Sequence, residues 1–360
     1  MFHVHGVYIV TILYTIRVGF GIAYSVTKGN ARASISGISK VADSRASFFI
    51  YPTNKTQNYY GVPGINAILK LHPTRIRVIS IMSKNDKQWS SATPGLLIIL
   101  LDQSGSMLNN YEGTTRTKFA STAVNKVIDN IIQKNFDGAA PKNRCFISVI
   151  GYNQDVKELC SGWLKDLDAN PLRYETLKKK TPDGAGGIVE MEVNQPVWVD
   201  PIDKDGTTNM LGAFQLAKDL VQKWIADHSD SPAPVIINIS DGVPYYDGKD
   251  PRTCMDETVK LVNEIKSISN TDGNVLVFNA QIDTTNGKVK FPSNREEVRQ
   301  PEAQFLFDIT SEVPESYKAA AAKNELPTKE GARGCIFAAD GVELIQLIDF
   351  GSSKGQGDIK

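Results

Sequence analysis

The sequence predicts an α/β protein with a doubly wound, mostly parallel sheet and helices on both faces, a Rossmann-like arrangement. Two observations lead to this prediction. Short apolar runs of strand length recur beyond residue 94, and segments with the apolar spacing of amphipathic helices lie between them. Alternation of strands and helices at such intervals is typical of parallel sheets, whose crossover helices cover both faces.

The first predicted strand is the continuous apolar run over 95–101, and a helical pattern over 117–133 follows it after a polar turn. A run without polar alternation is expected of a parallel strand that is buried on both faces. The same succession predicts further strands over 144–152, 234–240, 274–283 and 334–339, and helices over 210–227, 251–269 and 342–350.

Charge is distributed unevenly along the chain, although its 40 basic and 40 acidic side chains balance. Residues 1–93 hold eleven basic but only two acidic side chains, so this part carries +9 and the remainder −9. The neutral total argues against a nucleic-acid binder, which normally needs a basic excess. We therefore divide the chain into a basic extension over 1–93, a main domain over 94–352 and a flexible tail over 353–360.

The extension opens with a mostly apolar segment over 4–27 that is long enough to cross a bilayer, with Arg17 near its middle. Three interpretations stay open: a membrane anchor, a β-rich extension packed on the main domain, or a poorly structured leader. Basic residues follow the segment, so an anchor would leave the main domain in the cytoplasm. Beyond it, the apolar runs over 46–51 and 76–82 are typical of strands.

The cysteine and histidine content limits the chemistry of any metal site. The four cysteines are far apart in sequence and form no C-x-x-C pair, which favours free thiols in a reducing compartment such as the cytoplasm. With four histidines in the whole chain, a zinc site built on histidine is hard to assemble. Any metal is therefore expected to be a hard cation bound by oxygen.

Three loops of the main domain carry suitable oxygen ligands. Two of them directly follow predicted strands and the third precedes a helix, and ligands bind at the carboxyl ends of the strands in parallel sheets. One or two carboxylates with hydroxyls and water form a site for Mg²⁺ (or Mn²⁺). The candidate ligands are Asp102, Ser104 and Ser106 in the first loop, Thr208 in the second and Asp241 in the third.

The segment DQSGSM over 102–107, followed in order by Thr208 and Asp241, resembles the metal-ion-dependent adhesion site of von Willebrand factor A domains. The resemblance covers about 94–350. It implies that Ser104 and Ser106 bind the metal through their hydroxyls, and that Thr208 binds it directly or through water. Asp102 and Asp241 would act through water and hydrogen bonds, while a partner protein supplies an Asp or Glu carboxylate. Thr208 is preferred over Thr207 because the segment TNMLGA over 208–213 is similar to the family's pattern.

The resemblance implies a protein–protein interaction module without enzymatic activity, similar to stand-alone bacterial adaptors including the tellurite-resistance-associated type. Two other classes stay open. A metal-assisted hydrolase, or a regulatory subunit of an ATPase, kinase or phosphatase system, would need a general base, and the three loops offer no histidine or suitably placed glutamate. A membrane-tethered adhesion protein would need the segment over 4–27 to span the bilayer.

Residues 162–205 form an insert, which we interpret either as a specificity element or as a solvated loop. The runs over 188–193 and 196–199 are predicted to pair as a hairpin beside the metal. Tyr245 and Tyr246 follow Asp241 closely, and they either anchor a partner at the rim of the site or pack against the neighbouring loop.

Overall fold

The structure, a computed structural model, describes residues 85–182, 188–202, 204–282 and 287–355, together with the strands Tyr8–Ile12, Phe20–Thr27 and Asn30–Ile35. The chain divides into two units, Met1–Met82 and Ser83–Lys360. In the first unit the three strands form an antiparallel sheet, two of them within the candidate anchor. Among the described residues, no helix has the length and apolarity to span a bilayer. The runs over 46–51 and 76–82 lie outside the described residues.

The second unit is built on a seven-stranded sheet whose five inner strands are parallel and whose two edge strands are antiparallel to their neighbours. The strands of this sheet and of a separate two-stranded ribbon are β1 Gly95–Asp102, β2 Cys145–Tyr152, β3 Val156–Trp163, β4 Arg173–Pro182, β5 Ile188–Val197, β6 Val235–Ser240, β7 Leu276–Gln281, β8 Val289–Lys290 and β9 Cys335–Phe337. The order in the sheet is β3-β2-β1-β6-β7-β9-β8, and β4 and β5 form the ribbon. Two short hairpins pair Asn110–Tyr111 with Thr114–Thr115 and Phe136–Asp137 with Ala140–Pro141.

Helices cover both faces of this sheet. They are α1 Arg116–Lys134, α2 Leu164–Ala169, α3 Met210–Asp227, α4 Pro251–Ser267, α5 Pro301–Ile309, α6 Lys318–Lys323 and α7 Gly341–Gly351. Alternate residues of β1 enter two separate cores, one shared with α1 and α7 and the other with α3, α4 and α5. The side-chain alternation of a strand explains this division, since neighbouring residues point to opposite faces. The predicted doubly wound α/β fold is confirmed.

The direction of strand addition reverses between β1 and β6. From β1 the chain adds β2 and β3 on one side, and β6 later pairs with the other side of β1 before β7 extends the sheet away from it. Crevices at the carboxyl ends of strands form at such a reversal, because the two following loops leave in opposite directions. The loops after β1 and β6 therefore face each other.

The second unit begins at Ser83, before the start predicted at residue 94. Trp89 is buried and packs on Gly95, and its backbone N–H donates to the carbonyl of Lys354. The residues over 353–355, predicted as part of a flexible tail, instead form a turn in which Lys354 is buried. The two ends of the unit thus contact each other.

The insert over 162–205 contains an ordered ribbon, but its pairing differs from the prediction. The runs over 188–193 and 196–199 do not pair with each other, since all of the first and half of the second lie in one strand, β5. This strand pairs with β4 from Arg173↔Val197 to Pro182↔Ile188. The basic run over 178–180 lies in β4. Edge strand β3 is not among the predicted strands.

Asn125 of α1 fixes the chain where it leaves the ribbon. Its side-chain Oδ1 accepts the backbone N–H groups of Trp198 and Val199 over 2.9 Å, and its Nδ2 donates to the carbonyl of Val199 over 2.8 Å. Because Asn125 is buried, these backbone groups cannot turn to water instead. The segment that leads into the Thr208 loop is therefore anchored to α1.

We expect Asn125→Ala to lower the free energy of unfolding by about 2 kcal/mol, since it leaves two buried N–H donors without an acceptor. Urea unfolding followed by circular dichroism measures the change. The control Asn170→Ala removes an exposed asparagine of the same insert, and we expect less than about 0.5 kcal/mol from it. Equal losses of stability in the two variants would show that the hydrogen bonds of Asn125 to the ribbon's exit contribute no specific stabilisation.

Candidate metal site

Asp102 is the last residue of β1 and is fully buried, and both of its carboxylate oxygens accept hydrogen bonds. Oδ2 accepts the hydroxyl of Ser240 at the end of β6 over 2.6 Å, and Oδ1 accepts the backbone N–H of Ser104 over 2.9 Å. Burial, and next the charge of Asp241, raise the pKa of Asp102 to about 7. Asp102 thus joins the two central strands and orients the loop that follows β1.

The hydroxyls of Ser104 and Ser106 converge at the start of this loop. Their Oγ atoms are 3.1 Å apart, and the Ser106 hydroxyl donates to Oδ1 of Asp241 over 2.9 Å. Ser104 is buried while Ser106 is exposed, so the pair opens toward the surface. Ser106 is thereby within hydrogen-bond distance of two other predicted ligands, Ser104 and Asp241.

Arg116, the first residue of α1, is a site residue that the sequence analysis does not single out. Its Nη1 donates to Oδ2 of Asp241 over 2.7 Å, and this ion pair is largely shielded from solvent. A basic residue in the first turn of a helix opposes the helix dipole. The sequence offers no local signal for this contact, because the predicted helix begins at residue 117 and Asp241 lies 125 positions away along the chain.

Thr208 lies across an open cavity of about 430 Å³ from the loop after β1. The cavity is lined by Ser104, Ser106, Gln154, Asp205, Gly206, Thr207, Thr208 and Tyr245. The backbone of Thr208 exchanges two hydrogen bonds with that of Tyr245, over 2.7 and 3.0 Å, so the loops before α3 and after β6 are joined. Both threonines reach the cavity, and the preference for Thr208 stays a prediction.

Tyr245 and Tyr246 have different environments. Tyr245 is 44% exposed at the rim of the cavity, whereas Tyr246 is buried and donates its hydroxyl to Glu257 over 2.7 Å. Burial, and next the hydrogen bond to Glu257, raise the pKa of the Tyr246 phenol above its usual value. Only Tyr245 is therefore accessible to a partner.

Gly105 allows the Thr208 loop to approach the loop after β1. Its N–H donates to the carbonyl of Gly206 over 3.0 Å, and a Cβ added there would overlap Oδ1 of Asp205. That oxygen accepts the backbone N–H of Gly206 over 2.8 Å. A side chain at position 105 would therefore disturb the contact between the two loops.

We expect Gly105→Ala to lower Mn²⁺ affinity about fivefold, the equivalent of one lost hydrogen bond of about 1 kcal/mol. Isothermal titration calorimetry measures this affinity. Gly287→Ala is the matched control, because a Cβ there meets nothing within 4 Å and should leave the affinity unchanged. An unchanged affinity in Gly105→Ala would contradict a role for close loop approach.

The donor set fits a small divalent cation of the hard type. Adjacent ligands in an octahedral Mg²⁺ site with bonds of 2.0–2.1 Å are about 2.9 Å apart, close to the oxygen separations of 2.9 and 3.1 Å found between these three side chains. In the part of the chain that the structure describes, no group of three or more His, Cys, Asp and Glu side chains is arranged to hold a metal. A cation at this site would thus depend on hydroxyl ligands.

The strand order and the helices on both faces are those of a doubly wound α/β fold, the fold implied by the resemblance of the loops after β1 and β6 to those of von Willebrand factor A domains. The chain resembles such domains over the second unit. No family model and no curated protein sequence matches it.

Solved structures of this type are similar to the chain at low identity. The ArnB paralog VWA2 from Sulfolobus acidocaldarius is 17% identical, with a TM-score of 0.30 over 54% of this chain and 36% of that one. The manganese-loaded TRAP protein of Plasmodium vivax is 16% identical, with a TM-score of 0.33 over 73% and 72%. Proximal thread matrix protein 1 of the mussel byssus, with a zinc-occupied MIDAS motif, is 14% identical, with a TM-score of 0.36 over 73% and 48%.

The chain spans 36% of the length of the first of these structures and 48% of the third. At such identities and TM-scores they carry no conclusion about function, which has to come from the residues themselves.

Proposed function

We propose that the chain is a divalent-metal-dependent interaction module that binds an Asp or Glu carboxylate of a partner protein. One observation carries the proposal: the Ser106 hydroxyl lies 3.1 Å from that of Ser104 and 2.9 Å from the carboxylate of Asp241, and both serines line an open cavity. Ser104, Ser106 and Thr208 would hold Mg²⁺ or Mn²⁺. Asp102 and Asp241 would act through hydrogen bonds and water.

Neutral hydroxyl ligands favour binding of a carboxylate. A divalent cation bound mainly by hydroxyls keeps most of its positive charge and acts as a Lewis acid toward an incoming anion. Asp102 is engaged by Ser240 and Ser104, and Asp241 by Ser106 and Arg116, so both carboxylates already have partners in the chain. This arrangement supports a site in which the bound cation attracts a carboxylate from outside the chain.

We assign the module to the cytoplasm as an adaptor without catalytic activity. All four cysteines are free, and three of them are buried, which suits a reducing compartment. The cavity is lined by hydroxyl, amide and carboxylate side chains and carries no histidine that could serve as a general base.

The proposal is tested in two stages with purified chain. Isothermal titration calorimetry with Mn²⁺ and Mg²⁺ first establishes metal binding. A displayed library of short peptides is then selected in Mn²⁺, and the selected peptides are compared with versions in which each Asp or Glu is replaced by Asn or Gln. We expect retention in Mn²⁺, loss in EDTA, and loss with the amide versions. Peptides that bind equally in EDTA, or metal-dependent phosphatase or nucleotidase turnover, would contradict the proposal.

Tyr245 is expected to contribute to partner binding without contributing to metal binding. An exposed tyrosine at the rim of a site is typical of interface anchors, so we expect Tyr245→Ala to weaken a selected peptide about tenfold. Phe136→Ala is the control, because Phe136 is an exposed aromatic residue that follows α1 at its far end. Calorimetry with Mn²⁺ should give the same affinity for both variants and the wild type, and a drop in Mn²⁺ affinity for Tyr245→Ala would contradict this division of roles.

A further inference from the structure

Arg116 contacts the same carboxylate that faces the proposed metal ligands. Its Nη1 donates to Oδ2 of Asp241 over 2.7 Å, with the two side chains only 13% and 7% exposed. The other oxygen, Oδ1, accepts the hydroxyl of Ser106. Both oxygens of Asp241 are therefore engaged, and a divalent cation near this carboxylate is repelled by the positive charge of the guanidinium.

The position of Arg116 is unfavourable for its own helix. Arg116 is the first residue of α1, where the helix dipole favours acidic side chains and disfavours cations. Thr115 caps the helix by accepting the N–H of Lys118, and the first turn contains no acidic residue. Helix stability thus gives no reason for a largely shielded cation at this position, whereas the pairing with Asp241 does.

We infer that Arg116 is the internal counter-ion of the metal site: it holds Asp241 in place and lowers the affinity for the divalent cation. The inference depends on the proposed function, since it concerns the same site. Two positive groups that share one carboxylate repel each other, and in a partly buried site this repulsion weakens metal binding about tenfold. The same pairing keeps Asp241 from donating its charge to the cation, which preserves the attraction for an external carboxylate.

Calorimetric titration with Mn²⁺ alone tests the inference. We expect Arg116→Met to bind Mn²⁺ about tenfold more tightly than the wild type, because it removes the competing charge. Arg116→Lys keeps that charge and should stay within about twofold of the wild type. Lys118→Met is the matched control on the same helix: Lys118 is 44% exposed and faces Glu175, so its loss should change nothing. A purely structural role for Arg116 predicts weaker binding in the methionine variant.

Arg116→Gln removes the charge but retains a hydrogen-bond donor, and it replaces Arg116→Met if that variant does not fold. Uncharged variants that bind Mn²⁺ no more tightly than the wild type overturn the inference and leave the proposed function intact. Binding by an uncharged variant but not by the wild type supports the counter-ion and contradicts the proposed function. Absence of Mn²⁺ binding in the wild type and in the uncharged variants overturns both.

Discussion

Replacing Ser104 and Ser106 together by alanine is expected to lower Mn²⁺ affinity by roughly 100-fold or more, since even residues that only support metal ligands contribute 10- to 100-fold. The two hydroxyls lie 3.1 Å apart and are the only hydroxyl ligands proposed in the loop after β1. Because the double variant removes both members of the hydrogen-bonded pair, neither hydroxyl is left without its partner. Titration calorimetry measures the loss.

The control for this variant removes two hydroxyls elsewhere. Thr122 and Ser161 are exposed on α1 and on β3, and the double variant Thr122→Ala/Ser161→Ala should keep the wild-type affinity. Urea unfolding in EDTA should show both double variants within about 1 kcal/mol of the wild type, since neither creates a large cavity. If the Ser104→Ala/Ser106→Ala protein binds Mn²⁺ as the wild type does, the site is wrongly located.

Asp241→Ala is expected to lower the free energy of unfolding in EDTA by about 3 kcal/mol, the range observed when one member of a buried ion pair is removed. The reason is that Arg116 keeps its charge in a site where its side chain is only 13% exposed, and loses a carboxylate 2.7 Å away. Mn²⁺ should not restore the loss, because the cation adds positive charge beside the guanidinium. Urea unfolding with and without Mn²⁺ checks both expectations.

Two further variants separate the ion pair from general effects of the substitution. Asp256→Ala removes an exposed carboxylate from α4, and we expect less than about 0.5 kcal/mol from it. Asp241→Asn keeps the shape and an acceptor oxygen, and should recover part of the stability. A loss below about 1 kcal/mol in Asp241→Ala would mean that solvent screens the pair with Arg116, contrary to the burial of both side chains.

The central strands could be predicted because a strand that is buried on both faces has an apolar run without regular polar alternation. The run that became β1 is wholly apolar up to Asp102, and the run that became β6 is apolar except for Asn238 and Ser240 and is followed directly by Asp241. Strand, loop and candidate ligand could therefore be identified together. Edge strand β3 lacks this signature. Residues such as Lys157 and Glu158 are exposed, and a register shift between Glu158 and Cys160 interrupts the side-chain alternation on which strand prediction depends.

Pairing between distant segments is harder to predict than the segments themselves. The partner of β5 is the basic strand β4, whose register sets Lys178 opposite Glu192 and Lys180 opposite Glu190. A basic run alone is equally typical of a solvated loop, so the sequence of β4 did not indicate its partner strand. Likewise the contact of Arg116 with Asp241 joins residues 125 positions apart, which no local pattern announces.

The hydrogen bond from Ser240 to Asp102 joins residues 138 positions apart at the line where β1 meets β6. Contacts of such long sequence separation form slowly, because the chain between them must lose its conformational freedom first. The hydroxyls and carboxylates of the site are therefore assembled only after both halves of the sheet have joined. A cation that binds them would select the completed fold over partly folded chains, and would slow unfolding more than it accelerates folding.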